Sequence, residues 1–205
     1  MSDFYNIYMN IEQRFKEVQK ALEASKVKNF IEVKLRVARM CLFLRKRRKR
    51  FGLFIILGWQ KKWNEYATTP DISQDIFTKC HVNIMSPSQK LTAQARRNQR
   101  KIVKTINFDG AILINAAGDV LHSGAMIEDL KPREAAEKIN PRHNSPDLSS
   151  RFGFKQKVHM RHLAAITSSF VFKGTTVFTI SEESGHLHMF ENGKILYSTI
   201  EQERA

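Results

Sequence analysis

The chain has 205 residues, of which 42% are apolar, and its 34 lysines and arginines exceed its 20 acidic residues to give a formal net charge of +14. This length and apolar content suit one α/β domain with its own hydrophobic core, and they exclude disorder as the main state. A positive surplus this large favours a polyanionic partner, namely nucleic acid, acidic lipid or a nucleoside triphosphate. Charge alone does not choose among the three.

Neither the cysteines nor the apolar segments indicate a secreted or membrane protein. Cys41 and Cys80 are too few for a disulfide framework, and neither belongs to a metal-binding spacing such as C-x-x-C. The longest apolar run, 51–59, is far shorter than the roughly 20 residues of a membrane helix. No basic head followed by an apolar stretch opens the chain. We therefore expect a soluble, cytoplasmic protein without a membrane span.

The first half of the chain predicts several helices around one buried strand. Apolar residues recur every three or four positions over 4–22, which predicts an amphipathic helix that packs its stripe on the core. A second helix, over 29–45, leads into six consecutive cations at 45–50. These cations suit the negative end of a helix dipole and could equally grip phosphates. The remaining predictions for this half are a buried strand at 51–57, a short helix near 73–79, a helix from 86 to about 105, and a basic face on it at 96–104.

The second half alternates strands, turns and helices. We predict a hairpin over 108–127, a helix at 132–139, a polar, mobile loop at 140–155, a helix at 158–170, and strands at 175–180, 186–190 and 195–198. An Asn-Gly pair at 192–193 predicts a tight turn between the last two strands. The expected fold class is α/β, a mixed central sheet surrounded by helices. We expect residues 1–29 to form an N-terminal helical appendage to a main domain at 30–205.

Three short motifs fall where predicted elements begin or end. They are Asp-Gly-Ala at 109–111, at the start of a strand, Arg-His at 161–162, early on a helix, and Ser-Glu-Glu at 181–183, after a strand. Their order and setting resemble those of the diadenylate cyclase family, which carries Asp-Gly-Ala, Arg-His-Arg and Ser-Glu-Glu motifs. The resemblance covers roughly residues 32–198 and is strongest from Arg161 to Lys194.

The resemblance implies a nucleotidyltransferase that condenses two ATP molecules into cyclic di-AMP and releases pyrophosphate. Attack by a ribose 3′-hydroxyl on an α-phosphorus calls for a carboxylate and a divalent metal, Mg²⁺ or Mn²⁺. Asp109 is expected beside that hydroxyl and the metal, and Glu183 is expected to complete the metal site. Gly110, followed by Ala111 in the same motif, would let the backbone and the nucleotide approach closely.

The other motif residues are expected to hold the phosphates. Arg161 and His162 would bind triphosphate oxygens and offset charge in the transition state. Ser181 would donate a hydrogen bond to a phosphate, with Glu182 close to the nucleotide. Because two ATP molecules react symmetrically, the resemblance implies a homodimer or a larger homo-oligomer as the active unit.

The chain departs from the family pattern around its second motif. The Gly-Thr that precedes Arg-His in the family is His159-Met160 here, and the second arginine is Leu163. Losing that guanidinium removes up to five hydrogen-bond donors from the phosphate site. Since some family members carry an apolar residue after Arg-His, we do not interpret the change as inactivation.

Other interpretations of the basic residues stay open. Arg142, His143 and Arg151 in the 140–155 loop could supply phosphate contacts, although we favour solvated side chains there. One alternative function is a catalytically silent nucleotide-binding module of the same fold. Another is a nucleic-acid-binding protein that uses the basic stretches 45–50 and 96–104. We do not favour the latter, because no nucleic-acid motif and no interleaved aromatic residues accompany the charge.

Overall fold

The computed structural model describes residues 2–47, 51–69, 82–86, 110–143 and 145–203. Its helices are α1 Ser2–Ala24, α2 Ile31–Arg47, α3 Pro132–Ile139, α4 Leu148–Arg151 and α5 Met160–Val171. Its strands are β1 Leu53–Leu57, β2 Ala67–Thr68, β3 Val82–Asn83, β4 Ala111–Ile114, β5 Asp119–Ile127, β6 Thr176–Ile180, β7 Leu187–Glu191 and β8 Lys194–Ser198. Two short 3-10 helices cover Lys61–Tyr66 and Glu201–Glu203.

The described strands form one mixed sheet with β1 at its centre. The strand order is β2-β5-β4-β1-β6-β7-β8, and β3 pairs with β5. β1 runs parallel to β4 and antiparallel to β6. All five residues of β1 are buried, because helices cover both faces of the sheet at this strand. The predicted α/β class, with a mixed sheet surrounded by helices, is confirmed.

The N-terminal helices cover one face of the sheet. Ile11, Val18 and Leu22 of α1 are buried in a cluster with Ile55 of β1 and Phe178 of β6. From residue 10 onward, the apolar stripe of the first predicted helix therefore packs on the core, as expected. The boundary proposed at residue 29 stays a prediction, although α1 shares this cluster with the main sheet.

The opposite face is covered mainly by α3 and α5. Ala165 and Ile166 of α5 are fully buried against alternate residues of the strands, among them Ile56 and Val177. Successive strand residues point to opposite faces, so Ile55 contributes to one cluster and Ile56 to the other. This packing fixes the position of α5 on this face of the sheet.

One prediction is wrong in part. The segment 140–155, predicted as a polar, mobile loop, contains α4, and Phe152 and Phe154 beside it are buried. Asp147 begins α4, since its carboxylate accepts hydrogen bonds from the backbone N–H groups of Ser149 and Ser150, at 3.1 and 3.3 Å. Counting polar residues missed this capping interaction.

The helix predicted near 73–79 lies outside the described residues, as do residues 87–105 of the helix predicted from 86, with its basic face at 96–104, and 48–50 of the basic run. Within the described ranges, no helix combines the length and apolarity that crossing a membrane requires.

Candidate functional site

Two of the three motifs meet at one end of the sheet. Leu53 at the start of β1 pairs with Ile180 at the end of β6, and Ile55 pairs with Ile112 in the parallel β1–β4 ladder. β1 and β4 therefore begin where β6 ends. We call this the motif end of the sheet. It carries Gly110 and Ala111 at the start of β4 and the turn that begins at Ser181.

The second motif joins them because α5 begins at the same place. Arg161 lies in the first turn of α5, and its Nη1 atom is 3.9 Å from Oε2 of Glu182. His159, the residue that precedes α5, has its Nε2 atom 3.2 Å from Oε2 of Glu183. Side-chain contacts thus connect the Arg-His and Ser-Glu-Glu motifs. His159 and Glu183 are largely exposed, so this second contact is a surface ion pair when His159 is protonated.

The turn after β6 is held by its own hydrogen bonds. The backbone N–H of Ser184 donates to the hydroxyl of Ser181 over 3.2 Å, and the N–H of Gly185 donates to the carbonyl of Ser181 over 2.8 Å. Arg45 of α2 adds a third contact, since its Nε donates to the carbonyl of Gly185. This bonding orients the glutamates at 182 and 183 toward the start of α5.

A glycine that sequence reasoning did not single out positions Arg161. A Cβ atom built on Gly52 would lie 1.8 Å from Nη1 of Arg161 and 2.5 Å from its Cζ. The guanidinium therefore occupies the space that any side chain at position 52 would need. The sequence did contain a signal for this contact, namely a glycine directly before an apolar strand. Such glycines often mark a place where another group approaches the backbone closely.

Gly110 makes a different close approach from the expected one. A Cβ atom on Gly110 would lie 2.3 Å from the carbonyl carbon of Gly124 and 2.5 Å from its oxygen. Gly124 belongs to β5, which pairs with β4 through Ala111 and Ala125. The missing side chain at position 110 thus lets two strands come together. Its predicted role toward a nucleotide stays a prediction.

His162 faces the protein interior. Its residue is only 6% exposed, and its ring lies edge-on to the ring of His188, with 5.0 Å between the centroids. Burial, followed by the positive charge of neighbouring groups, lowers the pKa of His162 to about 3, so the ring is neutral near pH 7. Its Nε2 is buried without a hydrogen-bond partner among the described residues. The predicted phosphate contact of His162 stays a prediction.

His188 connects this helix to the C-terminal 3-10 helix. Its Nε2 is 2.8 Å from Oε2 of Glu203, a carboxylate that also accepts hydrogen bonds from the Ser198 hydroxyl and from the N–H of Lys155. These hydrogen bonds and the His188 contact outweigh burial and lower the pKa of Glu203. The charged form of Glu203 is thus favoured inside the fold. A chain of packed polar groups therefore runs from Glu203 through His188 to His162, next to Arg161.

Of the two predicted metal ligands, the structure describes Glu183 but not Asp109. Glu182 and Glu183 offer exposed carboxylate oxygens, which are the ligand type that Mg²⁺ and Mn²⁺ prefer. Within the described part of the chain, no group of three or more histidine, cysteine, aspartate or glutamate side chains is placed to hold a metal ion. The chemistry of Glu183 fits the expected metal, and its role stays a prediction.

Two solved structures are similar to this chain over most of its length. DacA from Staphylococcus aureus, a diadenylate cyclase solved as a double mutant, matches at a TM-score of 0.46 and 17% identity, over 84% of this chain and 89% of that one. A hypothetical membrane spanning protein from Bacillus cereus matches at a TM-score of 0.47 and 16% identity, over 79% of this chain and 60% of that one. No family model and no curated protein matches the chain.

Proposed function

We propose that this chain is a diadenylate cyclase, which joins two ATP molecules into cyclic di-AMP and releases two pyrophosphates. The observation that carries the proposal is the meeting of motifs at the motif end of the sheet. Arg161 contacts Glu182 there, while the Asp-Gly-Ala motif leads into β4 at the same end. Motif residues that are scattered along the chain but gathered in space favour a shared chemical task over three separate structural ones.

Each of the two reaction steps forms one bond and breaks another. The 3′-hydroxyl oxygen of one ATP bonds to the α-phosphorus of the other, the bond from that phosphorus to the bridging oxygen breaks, and pyrophosphate leaves. The hydroxyl proton must pass to a base, and Asp109, the covalent neighbour of Gly110, is the carboxylate that we propose for it. A divalent cation held by Asp109 and Glu183 would make the hydroxyl more acidic and offset phosphate charge.

Arg161 is the proposed phosphate ligand. Its side chain is 26% exposed, and its guanidinium lies against the backbone of Gly52. A planar guanidinium held in one orientation binds phosphate oxygens with less loss of entropy than a free one. Ser181 accepts the N–H of Ser184 and keeps its own O–H to donate, in this proposal to a phosphate.

The proposal also gives a role to His162 and an oligomeric state to the active enzyme. A neutral, buried His162 supports the first turn of α5, so in this proposal it also positions Arg161. Two chains would face each other with one ATP in each, because each nucleotide supplies one hydroxyl and one phosphorus. The active unit would be a homodimer or an assembly of such dimers.

The test is product formation with a matched pair of variants. Purified protein is incubated with ATP and Mn²⁺ or Mg²⁺, and the products are separated and identified by mass. Asp109→Asn should abolish cyclic di-AMP, while Asp129→Asn should not. Asp129 is exposed and has a φ of 55°, a conformation that asparagine tolerates, so the control makes the same chemical change without disturbing the fold.

A catalytically silent nucleotide-binding module is the second candidate. Leu163, which stands where the family has a second arginine, is buried in the apolar cluster on the α5 face of the sheet. That position thus serves packing here, and the phosphate site has one guanidinium fewer. ATP binding without product, with either metal, would select this candidate over the cyclase.

A further inference from the structure

A basic cleft is lined by residues of 140–157, the segment that connects α3 to α5 and that the sequence predicted to be mostly a loop. Its volume is about 890 Å³. It shares no lining residue with the three motifs. The charged and titratable side chains that line it are Arg142, His143, Asp147, Arg151, Lys155 and Lys157.

The positive side chains dominate this cleft. Four of its lining residues are lysine or arginine, and Asp147 is the one carboxylate among the described residues that line it. The Asp147 oxygens are already occupied, because they accept the N–H groups that cap the start of α4. The four cations outnumber this carboxylate, so the described lining residues carry a net positive charge that attracts an anion.

Arg151 distinguishes the cleft from a solvated basic surface. Its side chain is only 11% exposed, and its Nη1 forms an ion pair with Oε1 of Glu137 at 3.7 Å, a distance too long for a hydrogen bond. Its Nε is buried with no hydrogen-bond partner in the described part of the chain. A recessed guanidinium with an unused N–H carries a desolvation penalty that an anionic acceptor would relieve.

Hydrogen bonds hold the segment around Arg151 in place. The carbonyl of Arg151 accepts a hydrogen bond from Nδ2 of Asn140 over 2.7 Å, which joins the two sides of the cleft. The buried hydroxyl of Ser149 accepts the N–H of Val158 over 3.0 Å, and Glu203 accepts the N–H of Lys155. The cleft is thus preformed, and little chain ordering would oppose binding.

We propose that this cleft binds a small compound with a di- or triphosphate group, at a site separate from the motif end of the sheet. The volume lies within the roughly 300–1,000 Å³ of small-molecule sites. The depth of Arg151 favours an anion that enters the cleft over a polynucleotide that lies across the exposed lysines. The proposal does not depend on the proposed cyclase activity.

Binding of inorganic tripolyphosphate, measured by isothermal titration calorimetry in metal-free buffer with a chelator, tests the proposal. Lys155→Gln/Lys157→Gln alters two exposed lining residues, so the fold should survive. Lys16→Gln/Lys20→Gln removes the same charge from α1, on the opposite face of the sheet. The cleft variant should bind roughly tenfold more weakly than the wild type or the control, because charge-assisted hydrogen bonds are lost.

Two further comparisons decide where the anion binds. Arg161→Met should remove only the tripolyphosphate that binds at the proposed ATP site and should leave the binding that Lys155→Gln/Lys157→Gln weakens, which separates the two sites. Loss of binding in Arg161→Met with retention in the cleft variant would overturn the proposal. Equal tripolyphosphate affinities of the cleft variant and the α1 control would also overturn it. A third contrary result would be a single-stranded oligonucleotide that displaces tripolyphosphate and whose own affinity falls equally in the two lysine variants.

Discussion

The guanidinium of Arg161 lies against the backbone of Gly52, the residue before the central strand, in the space that a Cβ atom there would fill. The contact joins the first turn of α5 to the start of β1, two elements far apart in the chain. The orientation of the proposed phosphate ligand therefore depends on a residue outside the three motifs.

Gly52→Ala should weaken ATP binding with little change in stability. The added methyl group would collide with the end of a flexible side chain, which can swing away, but the guanidinium then loses its support. We expect ATP affinity or turnover to fall roughly tenfold, the scale of one charge-assisted phosphate contact.

A double-mutant cycle with Arg161→Met supplies the control for this prediction. If Gly52 acts through Arg161, the double variant should be no worse than Arg161→Met alone, because the interaction is already gone. Independent, additive losses from the two substitutions would contradict the assignment.

Gly110→Ala should destabilise the fold itself. Its Cβ atom would meet the backbone of Gly124, which cannot move without disturbing the β4–β5 pairing. We expect the free energy of unfolding to fall by at least about 2 kcal/mol, as for an overpacked core. Chemical denaturation would measure the change.

Gly185→Ala is the control for Gly110→Ala. No atom lies within 4 Å of a Cβ there, but φ is +67°, so the variant should show only backbone strain of about 1 kcal/mol. A Gly110→Ala protein of normal stability that no longer binds ATP would instead support the nucleotide-approach role predicted from the sequence.

His162 should make stability fall in mild acid. Burial lowers the pKa of His162 to about 3, whereas the ring protonates near its ordinary pKa of about 6.5 in the unfolded chain. Between these values the unfolded state binds the additional proton, so acid favours unfolding and the stability due to the neutral ring is lost as the pH falls from about 6.5 toward 3. The contribution is fully present above about 7.

His162→Leu should remove this pH dependence. Near pH 5, the slope of unfolding free energy against pH should decrease by about 1.4 kcal/mol per pH unit, the value for one proton. Denaturant titrations at several pH values would measure it, and the slopes above pH 7 should coincide in the two proteins. Equal slopes near pH 5 would show that the ring titrates normally in the fold.

The buried pair of Lys34 and Glu191 should be essential for stability but not for ATP binding. Nζ of Lys34 is completely buried and lies 2.8 Å from Oε1 of Glu191, which also accepts the hydroxyl of Thr176. Lys34→Met would leave a buried carboxylate without its cation, and we expect a loss of about 3–5 kcal/mol.

Two variants check this interpretation of the pair. Lys34→Met/Glu191→Met should recover part of the stability, because no unpaired charge remains, while Lys16→Met on the exposed side of α1 should change little. Thr176 pairs with Leu57 at the end of β1, so the pair lies at the end of the sheet opposite the motifs. A folded Lys34→Met protein with a specific loss of ATP affinity would contradict this placement.

Local patterns determined most of the described elements. The four-residue periodicity of α1, the apolar run of β1 and the Pro-initiated α3 each encode structure over a few adjacent residues, and all three were predicted correctly. The Asn-Gly turn was as reliable, because both residues need positive φ angles, 51° at Asn192 and 76° at Gly193. The three motifs were also recognised from the sequence, but the contacts between them were not predicted.

Only the tertiary structure decided how distant residues combine. The support of Arg161 by Gly52, the burial of His162 beside His188 and the recessed position of Arg151 all depend on strand register and on how α5 packs across the sheet. Nothing in the immediate neighbourhood of any one of these residues encodes that arrangement. Side-chain periodicity fixes which face of an element is apolar, whereas the partner that a polar side chain meets is set by long-range packing.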